Sequence, residues 1–255
     1  MPENFWLFIL VGFLAQLVDG ALGMAYGVIT TTFLLSLGIP PVSASASVHM
    51  AETITTAASG LSHWGLGNVD MRTLRKLAPA GVLGAVAGAY LLVHIPGETI
   101  RPFVTLYLLG MGVYILLKVF HKIQPPAKAP RLAPLGLIGG FLDAAGGGGW
   151  GSIVSSTLIA GGSPPRYTVG SVNLAEFFVA ASASLTFLTG ASLVNGWIIA
   201  GLILGGVAAS PVAAFAAKKL PARAMMVLVG STIVLLGLRG ILFLRPLAFI
   251  FSFAR

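Results

Sequence analysis

The stretch DGALGMAYG, Asp19 to Gly27, returns as DAAGGGGWG, Asp143 to Gly151, and each copy sets one carboxylate and a cluster of glycines inside apolar sequence. Four consecutive glycines, Gly146 to Gly149, make a poor helix because each adds backbone entropy that helix formation must remove. In a bilayer, bent backbone is tolerated only where protein or a water-filled cavity satisfies its polar groups. The two stretches are therefore read as breaks between helices, and their surroundings as the place where the chain works.

Working outward, a shift of 124 residues aligns positions 12–61 with 136–185 without a gap, and sixteen of the fifty pairs are identical. Shared composition alone would give roughly five. The matches include Gly12/Gly136, Asp19/Asp143, Gly23/Gly147, Gly27/Gly151, Pro40/Pro164, Pro41/Pro165, Ser47/Ser171, Ala51/Ala175 and Glu52/Glu176. What recurs is the polar and glycine pattern, the mark of an internal duplication. Three parts follow: a first repeat over 1–123, a proline-rich linker over 124–134 carrying Pro125, Pro126, Pro130 and Pro134, and a second repeat over 135–255.

With 56% hydrophobic and 9% charged residues and a mean hydropathy of +0.95, the chain exceeds what one soluble core can hide. The absence of cysteine excludes a disulfide framework and a thiolate metal site; no metal ligand set and no cofactor are expected. The N-terminus lacks the basic start of a cleaved secretory signal and reads as retained. Apolar segments fall at about 5–19, 24–37, 43–64, 77–94 and 101–120, then at about 132–143, 149–161, 166–188, 196–217 and 223–244. The first two of each set look short against the roughly 20 residues of a full span. The expected fold is an all-α integral membrane protein of two inverted-topology repeats, each a broken or re-entrant helix pair followed by three transmembrane helices. Inversion follows from the odd number of segments per repeat, and repeats of this kind place substrate sites near the midplane between them.

The net charge of +8 is not a nucleic-acid footprint, because the basic residues sit in loops. Arg72, Arg75 and Lys76 near 65–76, Lys118, Lys122, Lys128 and Arg131 around the centre, Arg166, and then Lys218, Lys219 and Arg223 all fall on one side, predicted cytoplasmic by the positive-inside rule, as is the linker. Arg245 and Arg255 run against this arrangement. Trp6, Trp64 and Trp197, near predicted helix ends, read as interfacial belt residues.

Helices starting after each break would aim unpaired N–H groups back at it, and helix N-termini favour anions. Gly20, Gly23 and Gly27 with Gly147, Gly148 and Gly151 are the candidate backbone donors, and Ser47, His49, Ser171 and Asn173 the candidate side-chain contacts. The competing reading of the glycines is close helix packing, which also accounts for Gly81, Gly84, Gly88, Gly110 and Gly112. Asp19 and Asp143 either cap helices or carry protons; an ionised aspartate would repel a bound anion, so direct coordination is disfavoured. His49 and Glu52, three apart on one helix face, and Glu176 either take up protons as a coupling ion or brace the halves.

The ordered set of these elements, namely the Asp-led glycine break, the Gly38-Ile39-Pro40-Pro41 turn into Val42–Ser47 and the Gly67-Asn68-Val69-Asp70 step, resembles the sulfite exporter TauE/SafE family through both repeats. The resemblance implies a permease or exporter of small sulfur-containing anions, sulfite or organosulfonates among them, in the cell membrane. His49, Glu52 and Glu176 depart from the small or hydroxyl residues many members carry along this helix. The leading expectation is a secondary transporter for such an anion working by alternating access, and not an enzyme; no P-loop is present to drive a pump. The alternatives are an anion channel, or an intramembrane enzyme using Ser47, His49 and Glu52, against which stands the absence of a Gly-x-Ser-x-Gly elbow. Small-residue helix faces permit a homodimer.

Overall fold

In the computed structural model, residues 5–120, 130–189, 195–216 and 222–243 are described. They form ten helices: α1 (Phe5–Leu22), α2 (Tyr26–Ser36), α3 (Pro41–Gly65), α4 (Met71–His94), α5 (Gly97–Phe120), α6 (Leu132–Gly146), α7 (Trp150–Ala160), α8 (Pro165–Leu188), α9 (Gly196–Ala216) and α10 (Ala222–Phe243). Phe5–Leu22, Met71–His94, Thr99–Val119 and Pro165–Leu188 are long and apolar enough to cross a membrane. Most of the proline linker, along with Lys122, Lys128, Lys218, Lys219, Arg245 and Arg255, lies outside the described residues.

The surface is apolar and much of the interior is polar. Trp6, Leu83, Leu106, Leu185, Leu228 and Leu235 are exposed, whereas Gln16, Asp19, Ser47, His49, Glu52, Asp143, Asn173 and Glu176 are buried. A soluble protein would lose free energy both ways, since large apolar patches seek cover and buried charges need partners. In a lipid solvent the outer face is at rest, and the polar interior becomes the informative region. Trp6, Trp64 and Trp197 are exposed, as belt residues are.

Three boundaries differ from the sequence reading. α1 runs on to Leu22 and has a full span's length, because Asp19 and Gly20 continue the helix. α2 and α7, with 11 residues each, are short as expected, and rise only about 16 Å, about half of a hydrocarbon core. α4 starts at Met71, so Arg72, Arg75 and Lys76 stand on its first turns instead of in a loop. The cause is Asp70, whose carboxylate accepts from the Arg72 and Thr73 N–H groups at 3.1 and 3.2 Å. The Thr73 hydroxyl and those N–H groups hold the Asp70 carboxyl below its usual range. Replacing Asp70 with Ala is expected to cost about 1 kcal/mol, read as a lower melting temperature in detergent. The cap's contribution is present above the ordinary carboxylate range and fades as pH falls through the depressed value. Pro134, assigned to the linker, stands in the first turn of α6, where a missing N–H has no consequence.

Helix pairs exchange when the halves are exchanged. α1 packs along α9 and its counterpart α6 along α4; α3 packs on α8 and α5 on α10. Glycines make the first two contacts close. A carbon added to Gly12 would lie 2.5 Å from the Leu202 carbonyl oxygen, and one added to Gly136 would lie 2.6 Å from that of Leu77. Gly84 and Gly88 meet the α6 backbone at Leu137 and Phe141, and Gly112 meets Ile233. Gly110, read as a packing residue, has open space around it.

Candidate functional site

The two breaks meet. α1 ends with the Gly23 N–H on the Asp19 carbonyl at 2.5 Å, and α6 ends with the Gly147 and Gly148 N–H groups on the Asp143 carbonyl, the latter at 2.8 Å. Gly147, Gly148 and Gly149 have φ of 77°, 142° and 140°, a path that L-residues with side chains rarely follow. It carries the chain against the other break: a carbon added to Gly27 would lie 2.7 Å from Gly148 Cα. The Thr31 hydroxyl donates to the Gly147 carbonyl and the Tyr107 hydroxyl to that of Gly148 at 3.0 Å. Gly23 lies against Val169 and Ser155, and Gly151 against the Gly23 carbonyl.

Around this contact stand four buried carboxylates and one imidazole. Asp143 uses one oxygen to accept from the Trp150 N–H, the first of α7, at 2.9 Å. Its other oxygen lies 3.1 Å from His49 Nε2. The Glu52 carboxylate stands beside Gly27 in the first turn of α2, its Oε1 3.1 Å from where a carbon added to Gly27 would lie, and its Oε2 is buried without a partner. Asp19, seven residues before Tyr26 as Asp143 is before Trp150, is buried with neither oxygen hydrogen-bonded. Glu176 Oε2 is also unpartnered, and Glu176 lies within electrostatic reach of Asp19, Glu52 and Asp143. Gln16, Ser47, Ser152 and Ser155 add further unpaired buried polar atoms. Four full negative charges in one interior would repel strongly, so countercharge must accompany them.

Of the predicted backbone donors, Gly20 sits inside α1 against Ala213 of α9. The N–H groups of Gly23, Gly147 and Gly148 close the ends of their own helices, and Gly27 lies beside the Glu52 carboxylate. Ser171 and Asn173 brace: Ser171 Oγ accepts from the Asp70 N–H at 2.8 Å. Asn173 donates to the Val169 carbonyl at 3.1 Å and accepts from Ser59 at 3.0 Å. Ser47 Oγ makes no hydrogen bond, so the Ser–His contact that a nucleophile requires is not formed. Sequence reasoning missed Ser45, Thr31, Tyr107 and the Trp150 N–H. The pairing of Thr31 with Ser155 and of Thr32 with Ser156 under the 124-residue shift was the available signal for hydroxyls on the short helices.

Comparison with known proteins places this architecture. The family described as Sulfite exporter TauE/SafE matches residues 8–240. The chain belongs to the TauE/SafE family. This TauE/SafE protein is similar to a Bacillus subtilis (strain 168) protein named probable membrane transporter protein YtnM, at 43% identity over 92% of this chain and 82% of the relative. It is also similar to a Sinorhizobium sp protein named probable membrane transporter protein ORF9, at 27% identity over 72% of this chain and 67% of that one. No solved structure matches it. The family, the relatives and the apolar exterior together make it a multi-pass membrane transporter.

Proposed function

We propose that this transporter carries a small sulfur-containing oxyanion such as sulfite or an organosulfonate, by alternating access of two inverted halves about the meeting of their breaks. One observation carries the reading: the first N–H of α7, that of Trp150, is held by the Asp143 carboxylate at 2.9 Å, and the Glu52 carboxylate stands beside Gly27 in the first turn of α2. Helix N-termini are anion sites, and here the chain's own carboxylates stand at both. Protonating Asp143 or Glu52 weakens that hold and frees the donors for a substrate anion, so that proton and anion move together. The exchange of helix contacts between the halves supports an inverted repeat, and the ties from Arg166 to Asn68 and to the Leu66 carbonyl support one basic side.

The test is uptake into proteoliposomes of sulfite, organosulfonates, sulfate, phosphate and carboxylates, with and without an inward proton gradient. Saturable uptake of a sulfur oxyanion, accelerated by the gradient and by preloaded substrate, is the expected result. Flux that rises linearly with concentration and shows no countertransport favours the channel reading instead.

A further inference from the structure

The hydrogen bonds of His49 fix its tautomer. Ser45 Oγ spends its hydrogen on the Ala144 carbonyl at 3.0 Å, and the Ser45 carbonyl, 2.8 Å from His49 Nδ1, can only accept. Nδ1 therefore carries the hydrogen, and a neutral imidazole turns its Nε2 lone pair toward Asp143 Oδ2 at 3.1 Å. Two lone pairs facing each other at that distance call for a positive charge between them. A ring with Nδ1–H on a backbone carbonyl and Nε2 directed at a carboxylate has the orientation of a metal-ligating histidine.

The third donor comes from the same helix. Glu52 stands three residues beyond His49 and keeps one carboxylate oxygen buried and unpartnered. Ligand atoms of His49, Glu52 and Asp143 all lie within 4.8 Å of one another; two atoms bonded to one ion at about 2.0–2.2 Å stand at most about 4.4 Å apart, so a side-chain shift of a few tenths of an ångström closes the set around one ion. Two further observations point inward. Both oxygens of Asp19 and Glu176 Oε2 are buried without partners, and both residues are within electrostatic reach of Asp143. A single proton would settle the His49–Asp143 contact and leave these oxygens as they are; a divalent cation attracts all of them.

We propose that His49 Nε2 with carboxylate oxygens of Glu52 and Asp143 forms a divalent metal site, with Asp19 and Glu176 adding charge around it. One imidazole, carboxylates and no sulfur suit a first-row ion such as Mn²⁺, Fe²⁺, Co²⁺ or Zn²⁺. Three protein ligands leave coordination positions open, and an oxyanion could take one, with the cation offsetting the acidic surroundings. The repeat carries Asn173 where the first half carries His49, so the histidine-bearing site occurs once per chain. The site rests on donor geometry and stands whether or not the anion reading holds.

The experiment uses purified full-length protein, treated with chelator and titrated with Mn²⁺ and Co²⁺. The expected result is one ion per chain, with binding at least ten-fold weaker in Glu52→Gln and unchanged in Glu98→Gln. A second measurement leaves the site intact. In a His63→Gln, His94→Gln, His121→Gln triple variant the sole imidazole is His49, and bound Mn²⁺ or Cu²⁺ should show nitrogen hyperfine coupling. Absence of stoichiometric binding by the wild-type protein overturns the proposal and leaves a proton in the contact. Binding that Glu52→Gln does not weaken, or a triple variant whose bound ion shows no nitrogen coupling, overturns it as well.

Discussion

Gly148→Leu is expected to prevent the two halves from closing, with a loss of about 2–6 kcal/mol and a melting temperature lower by roughly 10 °C or no folded protein at all. Two effects add. A φ of 142° lies where side-chain-bearing residues rarely go, a cost of about 1–3 kcal/mol. The new carbon would also run into the backbone of Gly27 and Val28, which, being part of a helix turn, has little freedom to give way; overpacking of that kind costs about 1–3 kcal/mol. The paired control is Gly110→Leu, with nothing within 4 Å of the added carbon and a better helix former in place of glycine. Melting curves of the two variants in one detergent decide the matter: equal stability would mean that the breaks do not abut.

Glu52→Gln is expected to separate exchange from accumulation. Glutamine keeps the shape of the carboxyl beside Gly27 but carries no charge and takes up no proton, so the α2 N-terminus stays in the released state. Counterflow of labelled against unlabelled sulfur oxyanion should persist, while uptake driven by an inward proton gradient falls at least ten-fold, about 1.4 kcal/mol or more of lost coupling. Wild-type-like concentrative uptake by Glu52→Gln would remove Glu52 from the coupling scheme and leave it a brace.

Much of this arrangement is legible in the sequence because it is written twice. The duplication puts Asp19 and Asp143, Glu52 and Glu176, and both breaks at equivalent places, and the ten helices fall close to the ten apolar segments. Less legible is what each polar group is bonded to. Asp143 reaches Trp150 because the glycine path between them doubles back, a matter of φ angles that residue types permit without specifying. Ser171 and Asn173 recur with Ser47 and His49, yet their partners, Asp70 and Ser59, come from α3 and the turn after it, contacts between halves that no local pattern announces. Arg72, Arg75 and Lys76 read as loop because charge was weighed above the Asp70 cap.

Among the differences between the two breaks, one bears on the backbone. Where the second has Gly149, the first has Ala25 at a φ of 87°, a conformation that glycine adopts freely and alanine only against steric resistance. In a carrier whose halves trade conformations, perfect internal symmetry would leave the inward-facing and outward-facing forms equally populated. Under the proposed alternating access, a methyl group under strain in one break tilts that balance toward one face, and Ala25→Gly is expected to shift which side of the membrane a bulky probe can reach.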